Sequence, residues 1–387
     1  MIPGLDGIRA VAFLLVFAIH TDYLNFGWVG VQLFFVLSGF LITGILLDMK
    51  EYLPKKEYYV KFYGRRFLRI FPLYYFYMLS MAGIANWLKS LAYRPTKMQI
   101  YLDQAPYAAV YIYNFFYASS KFEHTPLLEH FWSLSVEEQF YIFWPLLIML
   151  TPKKHLKKLF VGAIFGGLGF RILYTVIYKI YPMPFFQENM AIALYALPFT
   201  HLDAFGFGAF LTRFEFKKPK LQLVILAVLT PLFGFGTRFL TTGSWTDTLS
   251  GLGYPFAMPK GGQYIWGYSI LNYLFAVLIY LVIREKLFVR FLEHPWLRYL
   301  GKISYGLYVY HFAVIWFVGR IIFDRFGGNL TYAQGVLIQT IVAFPLTVLI
   351  ASGSFYFLEK PLLSLKSRLF PVRSRKPETF LTIKPAL

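Results

Sequence analysis

Two basic side chains stand in the first long apolar segment of the chain. Arg9 and His20 lie within LDGIRAVAFLLVFAIH, residues 5–20. In an α-helix their separation is about three turns, so both project from nearly the same face, about 16 Å apart along the axis. Because a buried charge in hydrocarbon is costly, such residues line a cavity or snorkel from the helix ends. Facing a cavity, the imidazole can act as a general base, and the guanidinium can hold a phosphate.

A pair of carboxylates opens a later apolar segment, EHFWSLSVEEQFYIFWP, residues 129–145. Glu137 and Glu138 point about 100° apart on a helix, so they have different surroundings. One interpretation is structural, because Ser135 and Glu138 match the S-x-x-E pattern of a helix-capping box. The other is catalytic, because a carboxylate that faces a cavity can orient an imidazole or pair with an arginine. Because the two side chains point in different directions, they cannot both form the cap, and one of them is left for another role.

An arginine cluster precedes a third apolar segment, in KFYGRRFLRIFPLYYF, residues 61–76. Arg66 and Arg69 share one helix face, and Arg65 is adjacent. Arginines grouped in this way bind phosphates bidentately. The alternative is that they anchor the cytoplasmic end of a membrane helix.

Further polar residues interrupt apolar segments elsewhere. Ser304 and His311, in GKISYGLYVYHF, are about two helical turns apart and share nearly one face. His201 and Asp203 form another polar intrusion, in PFTHLDAFGFGAF. The histidines lack the spacing of a zinc site, so no metal is expected. With no cysteine in the chain, thiolate catalysis and iron–sulfur clusters are excluded.

The composition of the chain is that of an integral membrane protein. Of its 387 residues, 58% are hydrophobic and only 15% are charged. A water-soluble domain usually has about 45–50% apolar and about 25% charged residues. We therefore predict an all-α, polytopic membrane protein with about ten transmembrane helices. The segments are 6–24, 28–48, 67–88, 132–150, 159–181, 190–212, 221–241, 264–283, 302–320 and 332–357.

The distribution of basic residues predicts the orientation. With ten spans and a cytoplasmic N-terminus, the inner segments hold 27 Lys and Arg and the outer segments hold 8. This bias places the C-terminus in the cytoplasm as well. A crossing by the short apolar segment 105–118 would invert every later loop, so we expect that segment to be interfacial or re-entrant. The net charge of +19 then reflects topology and contact with anionic membrane lipid, not nucleic acid.

Together these stretches, in this order, resemble the acyltransferase 3 family of bacterial membrane acyltransferases. The resemblance covers residues 4–365. It also includes GWVGVQLFFVLSGFLIT (27–43) and the Glu359-Lys360-Pro361 sequence after the last span. It implies a membrane acyltransferase domain over residues 1–365, followed by a basic cytoplasmic tail, 366–387. It also implies a multi-pass location in the bacterial inner (cytoplasmic) membrane.

The resemblance implies transfer of an acetyl or similar short acyl group from a cytoplasmic acyl-CoA, such as acetyl-CoA, to a hydroxyl of a carbohydrate or glycolipid. It implies that the pair Arg9 and His20 is critical and that the segment from Trp132 to Gln139 helps to form the active site. We predict three sets of site residues. The catalytic set is His20, Glu137, Glu138 and Arg9; the acyl-CoA set is Arg9, Arg66, Arg69 and Ser304; the acceptor set is Trp132, Gln139 and His311.

Two departures from the family pattern bear on these expectations. A position that often reads Thr-Arg-x-Asp is here Thr200-His201-Leu202-Asp203, which puts a role for that arginine in doubt. The chain also ends at residue 387, without the extracytoplasmic domain of longer relatives, so it is expected to work alone or with a partner. The alternative function is a transporter or flippase of a lipid-linked sugar, with the same polar residues lining a conduit.

Overall fold

A computed structural model describes residues 2–181, 190–244, 251–326 and 329–372, and in these ranges the chain forms helices and no β-strand. The helices are α1 (Leu5–His20), α2 (Val29–Tyr52), α3 (Lys55–Ser90), α4 (Pro95–Ala109), α5 (Tyr113–Tyr117), α6 (Phe131–Leu150), α7 (Leu156–Ile180), α8 (Met190–Ala196), α9 (Leu202–Phe210), α10 (Pro219–Thr242), α11 (Gln263–Glu285), α12 (Val289–Leu292), α13 (Pro295–Lys302), α14 (Ser304–Phe326), α15 (Tyr332–Ser354) and α16 (Lys360–Leu369).

The apolar helices confirm an all-helical protein with several membrane spans. Seven helices in the described ranges are long and apolar enough to cross a membrane, and an eighth span results if α8 and α9 are one span bent by 72°. Nine of the ten predicted segments each coincide with one helix, including α1 and α6, which are not among the seven, and the segment 190–212 is divided between α8 and α9. The total of ten spans therefore stays a prediction.

The ambiguous apolar segment 105–118 is divided between two short helices. Helix α4 ends at Ala109, and Tyr111 has a positive φ of 56° before α5 begins. A left-handed residue breaks the α-helical hydrogen-bond ladder, so no continuous helix runs through the segment. The Tyr74 and Tyr75 hydroxyls of α3 donate to the Ala108 and Ala109 carbonyls and hold the break against α3.

Helix α2 lies at the centre of the bundle, where it packs against α1, α6, α9 and α11. Its crossing with α9 depends on two glycines. A Cβ on Gly208 would lie 2.0 Å from the Val36 carbonyl oxygen, and one on Gly39 would lie 2.3 Å from the Phe205 carbonyl oxygen. Small residues at such crossings let two helix backbones approach closely, which is a common device in membrane proteins.

The last helix in the described ranges, α16, lies beside the arginine-rich start of α3. Helix α16 packs against α3, and Arg65 donates a 2.9 Å hydrogen bond to the Phe370 carbonyl. This contact brings Lys366 next to the arginine cluster. Of the predicted basic tail, 366–387, the part after residue 372 lies outside the described residues.

We expect Gly208→Ala to destabilise the bundle, because the added methyl group meets the backbone of α2 and nearby backbone must move. Overpacking of this kind costs about 1–3 kcal/mol. Thermal unfolding in detergent, followed by tryptophan fluorescence, should show a lower Tm for this variant. Gly162→Ala in α7 is the matched control, since no atom outside its own helix turns lies within 4 Å of that Cβ. Equal Tm values for both variants would contradict the close crossing.

Candidate active site

A cavity of about 300 Å³, here called the cationic cavity, opens between α1, α2, α3, α6, α14 and α16. Its polar wall holds four cations and two carboxylates. Three segments that are far apart in sequence supply the cations. The charged lining residues are Arg9, Arg66, Arg69, Glu137, Glu138 and Lys366.

The positive charges of this cavity are incompletely neutralised. Arg9 forms a 2.6 Å salt bridge with Asp6, one turn earlier on α1. Among the described residues, Arg66, Arg69 and Lys366 have no carboxylate oxygen within 4.0 Å. Guanidinium groups that converge without paired acids form a site for an anion, and phosphate suits their forked geometry.

Glu137 is fixed by hydroxyl groups within the same cavity. The hydroxyls of Ser38 and Tyr141 both donate short hydrogen bonds to its Oε1 atom. The Tyr141 ring in turn lies beneath the Arg66 guanidinium, with 5.8 Å from Cζ to the ring centroid. Glu138 is buried and also lines the cationic cavity, as does Ser304. Both carboxylates therefore face the cations.

A second, smaller cavity of about 70 Å³ contains His20 and is here called the histidine cavity. His130 and Glu129 also line it. Most of its remaining wall is aromatic, and those rings are Trp28, Tyr117, Trp132, Tyr195, Tyr308, Phe256 and Phe312. Polar groups set among aromatic walls are typical of sites that orient small organic ligands.

The two cavities are adjacent. Val31 and Tyr308 line both of them and separate one from the other. The Tyr308 hydroxyl is held 2.5 Å from the Ser133 hydroxyl, and it also donates to the His130 carbonyl at 3.3 Å. Helix α1 passes both cavities, with Arg9 at the cationic cavity and His20 at the histidine cavity.

One hydrogen-bond partner of His20 is an imidazole, and the backbone of Val16, one helical turn earlier, is another. His20 Nδ1 lies 3.0 Å from His311 Nε2, and the Phe312 ring stacks on His20 with 4.2 Å between centroids. His311 is fully buried, and it lines neither cavity. The two predicted carboxylates, Glu137 and Glu138, line the cationic cavity and not the histidine cavity.

Trp132 and Gln139, which were predicted to bind the acceptor, lie in different places. Trp132 lines the histidine cavity. Gln139 lines neither cavity and donates hydrogen bonds to the Tyr111 carbonyl at 2.8 Å and to Asn114 at 2.9 Å. These bonds tie α6 to the break between α4 and α5. A role for Gln139 in acceptor binding stays a prediction.

The capping-box interpretation of Ser135 and Glu138 is wrong. Helix α6 begins at Phe131, so Ser135 lies inside it and donates to the Phe131 carbonyl at 3.1 Å. The two residues are too late in the helix to satisfy its free N-terminal amides. Glu138 is consequently available to the cationic cavity.

Sequence reasoning missed several cavity residues. His130 and Glu129 were assigned no role, yet both line the histidine cavity. Lys366 was placed in the tail, but it lines the cationic cavity. The family-like stretches include Ser38 and Tyr141, whereas Lys366 carries no signal in the sequence that would place it there. Glu129 of the histidine cavity accepts a 3.2 Å hydrogen bond from His124, and this bond raises the pKa of His124 above its ordinary value.

The motif at residues 200–203, which departs from the family pattern, forms an ion pair with an arginine on another helix. Arg171 of α7 forms a fully buried salt bridge with Asp203 at 2.7 Å. Ser269 donates to the same carboxylate at 2.6 Å, and Asn272 donates at 3.1 Å. The His201 ring is held between the Tyr195 carbonyl and the Gln32 amide. The side chains of Arg171, Asp203 and His201 line neither cavity, so the motif joins helices in the bundle core.

We expect Asp203→Asn to destabilise the protein strongly, because it leaves the buried Arg171 guanidinium without its counter-ion. Breaking such a pair costs about 3–5 kcal/mol. Asp324→Asn is the control, since its ion pair with Arg94 is exposed and contributes little. Thermal unfolding in detergent measures both, and an Asp203→Asn protein as stable as the control would contradict a structural role.

Comparisons of the sequence with known proteins show what the chain is similar to. O-acetyltransferase OatA of Staphylococcus aureus strain MRSA252 is 27% identical over 397 aligned positions, with 98% of this chain and 60% of that protein covered. A protein of strain COL provisionally named an O-acetyltransferase, SACOL0978, is 30% identical and is covered to 57% of its length. The chain thus spans about 60% of the curated relatives it matches. No solved structure gave a significant match. The family model described as "Acyltransferase domain" matches residues 2–355, and the chain therefore belongs to the acyltransferase 3 family.

Proposed function

We propose that the protein is a membrane O-acyltransferase that moves a short acyl group from acyl-CoA to a hydroxyl of a carbohydrate or glycoconjugate. One observation carries the proposal. Helix α1 presents Arg9 to a cavity rich in cations and His20 to an adjoining cavity with aromatic walls. A polyanionic donor and a neutral hydroxyl acceptor need two such environments side by side.

The cationic cavity suits the donor. Coenzyme A carries its phosphates at one end and its thioester at the other, joined by a narrow chain. Arg66, Arg69 and Lys366 offer the phosphates three cations that have no paired carboxylate in the described part of the chain. Arg9 lines the same cavity, about three helical turns from His20 on α1, and supports the thioester arm. Acetyl-CoA is the donor that we propose, in keeping with the names of the relatives.

The histidine cavity suits the reacting groups. Its volume of about 70 Å³ is small beside the 300 Å³ of the cationic cavity and suits an acetyl group and one hydroxyl. Aromatic side chains such as Trp132 and Phe256 line it and give a sugar a surface for contact. The acceptor then reaches His20 through one hydroxyl.

The chemistry requires one base. The acceptor oxygen attacks the thioester carbon, and its proton passes to the His20 imidazole. The carbon–sulfur bond then breaks, and the CoA thiolate takes up that proton from the His20 imidazolium, which returns the imidazole to its neutral form. Direct transfer needs no covalent enzyme intermediate, and Glu137 and Glu138 balance the charge of the arginines around the donor.

The topology that serves this reaction has ten spans with both termini in the cytoplasm. The cationic cavity includes side chains from the arginine-rich start of α3 and from α16, both of which belong to segments assigned to the inner side by charge. Acyl-CoA would enter from there. A bacterial inner membrane is the location we propose.

We expect His20→Ala to lower kcat by about 10²–10⁴-fold, because the reaction loses its general base. Purified protein with labelled acetyl-CoA, tested for hydrolysis and for transfer to glycan acceptors, measures this. His294→Ala is the control, since that histidine is exposed and outside both cavities. Wild-type protein that binds a sugar lipid but neither hydrolyses nor transfers the acetyl group would favour the flippase instead.

We expect Arg66→Gln to raise the KM for acetyl-CoA by about 10–100-fold, because a charge-assisted hydrogen bond contributes about 1.5–3 kcal/mol. The exposed Arg290→Gln is the control for a loss of one positive charge. Steady-state kinetics at two salt concentrations test the prediction. An unchanged KM would remove Arg66 from the donor site.

A further inference from the structure

The tautomer of His20 follows from the hydrogen bonds of His311. His311 Nδ1 lies 2.7 Å from the Tyr308 carbonyl oxygen. A carbonyl oxygen only accepts hydrogen bonds, so Nδ1 of His311 must carry a hydrogen. The second nitrogen of His311, Nε2, faces His20 Nδ1 at 3.0 Å. The question is which of these two nitrogens donates.

The surroundings of His311 favour its neutral form. The side chain is fully buried, and it packs against the rings of Phe13, His20, His130 and Phe312. No carboxylate in the described part of the chain lies within 4.0 Å of it. A buried charge without a partner is costly. A neutral imidazole has one hydrogen, which is already on Nδ1, so Nε2 of His311 is an acceptor.

His20 must therefore donate from Nδ1, and in the neutral form of His20 its own Nε2 is left with a lone pair. The Phe312 ring stacked at 4.2 Å fixes the plane of the His20 ring. In free histidine the hydrogen prefers Nε2, so this arrangement selects the less common tautomer. A general base needs that lone pair.

We propose that His311 is a positioning residue that holds His20 in the Nδ1–H tautomer and leaves Nε2 free to accept the proton of the acceptor hydroxyl. The inference rests on the proposed acyl transfer. It gives His311 the orienting task that the sequence suggested for Glu137 or Glu138. When His20 becomes protonated, its Nδ1–H still donates to His311, which stabilises the imidazolium through the reaction.

Solid-state NMR of protein with isotope-labelled histidine tests the tautomer directly. The chain has seven histidines, and the signal lost in His20→Gln identifies His20. With no acyl donor added and at a pH where the ring is neutral, we expect the wild-type His20 signal to be that of Nδ1–H. A His20 signal of the Nε2–H tautomer would overturn the proposal without the need for any variant.

Two substitutions separate positioning from mere packing. His311→Leu fills the space but offers no acceptor, and we expect a kcat about 100-fold lower with the KM for acetyl-CoA unchanged. His311→Gln places an amide oxygen near the former Nε2 atom, and we expect kcat to return to within about tenfold of the wild type. Wild-type kcat in His311→Leu would contradict the proposal, as would equal losses in both variants. Because NMR needs no turnover, a failure of acyl transfer and a wrong tautomer are distinguished.

Discussion

The structure depends on the cost of placing ionisable groups in hydrocarbon. A guanidinium or an imidazole within an apolar helix must face the protein interior or reach the membrane surface. Helix α1 carries one of each on nearly one face, and the other helices enclose that face. Arg9 lies in the larger cavity, His20 lies in the smaller one, and Tyr308 and Val31 stand between them. The position of one helix therefore decides where both polar sites form.

The charge of the larger cavity has a physical consequence for binding. Four cations converge there, while Glu137 is held by two hydroxyls and Arg9 by Asp6. Mutual repulsion of the cations opposes folding, and a bound polyanion relieves it. Occupation by the proposed acyl-CoA donor should consequently stabilise the bundle as well as position the thioester. Helix α16 contributes Lys366, so binding of the proposed donor would also link segments that are far apart in the sequence.

Local patterns in the sequence were sufficient to locate the long apolar helices and the face of α1 that carries Arg9 and His20. Apolar periodicity and the eleven-residue spacing of Arg9 and His20 both depend on neighbours along one helix, which a sequence reveals. The partner of His20 could not be found in this way, because His311 is 291 residues away and meets it only through packing. The places of His130 and Lys366 in the two cavities also depend on packing between distant segments of the chain.

The wrong capping-box interpretation has a similar origin. Ser135 and Glu138 match a capping box, but α6 begins at Phe131, so both residues lie inside the helix. The departure from the family pattern at His201 put a role for the missing arginine in doubt, and Arg171 of another helix meets Asp203 in three dimensions. Short motifs therefore identified candidate site residues, but tertiary contacts determine which of those residues line the same cavity.

A cryo-EM structure with a non-hydrolysable thioether analogue of acetyl-CoA tests the central claim most directly. We predict that its phosphates contact Arg66, Arg69 and Lys366, and that its acetyl group passes Tyr308 to lie beside His20. An analogue bound outside the cationic cavity, or one whose acetyl group ends away from His20, would contradict the claim that the two cavities form one site.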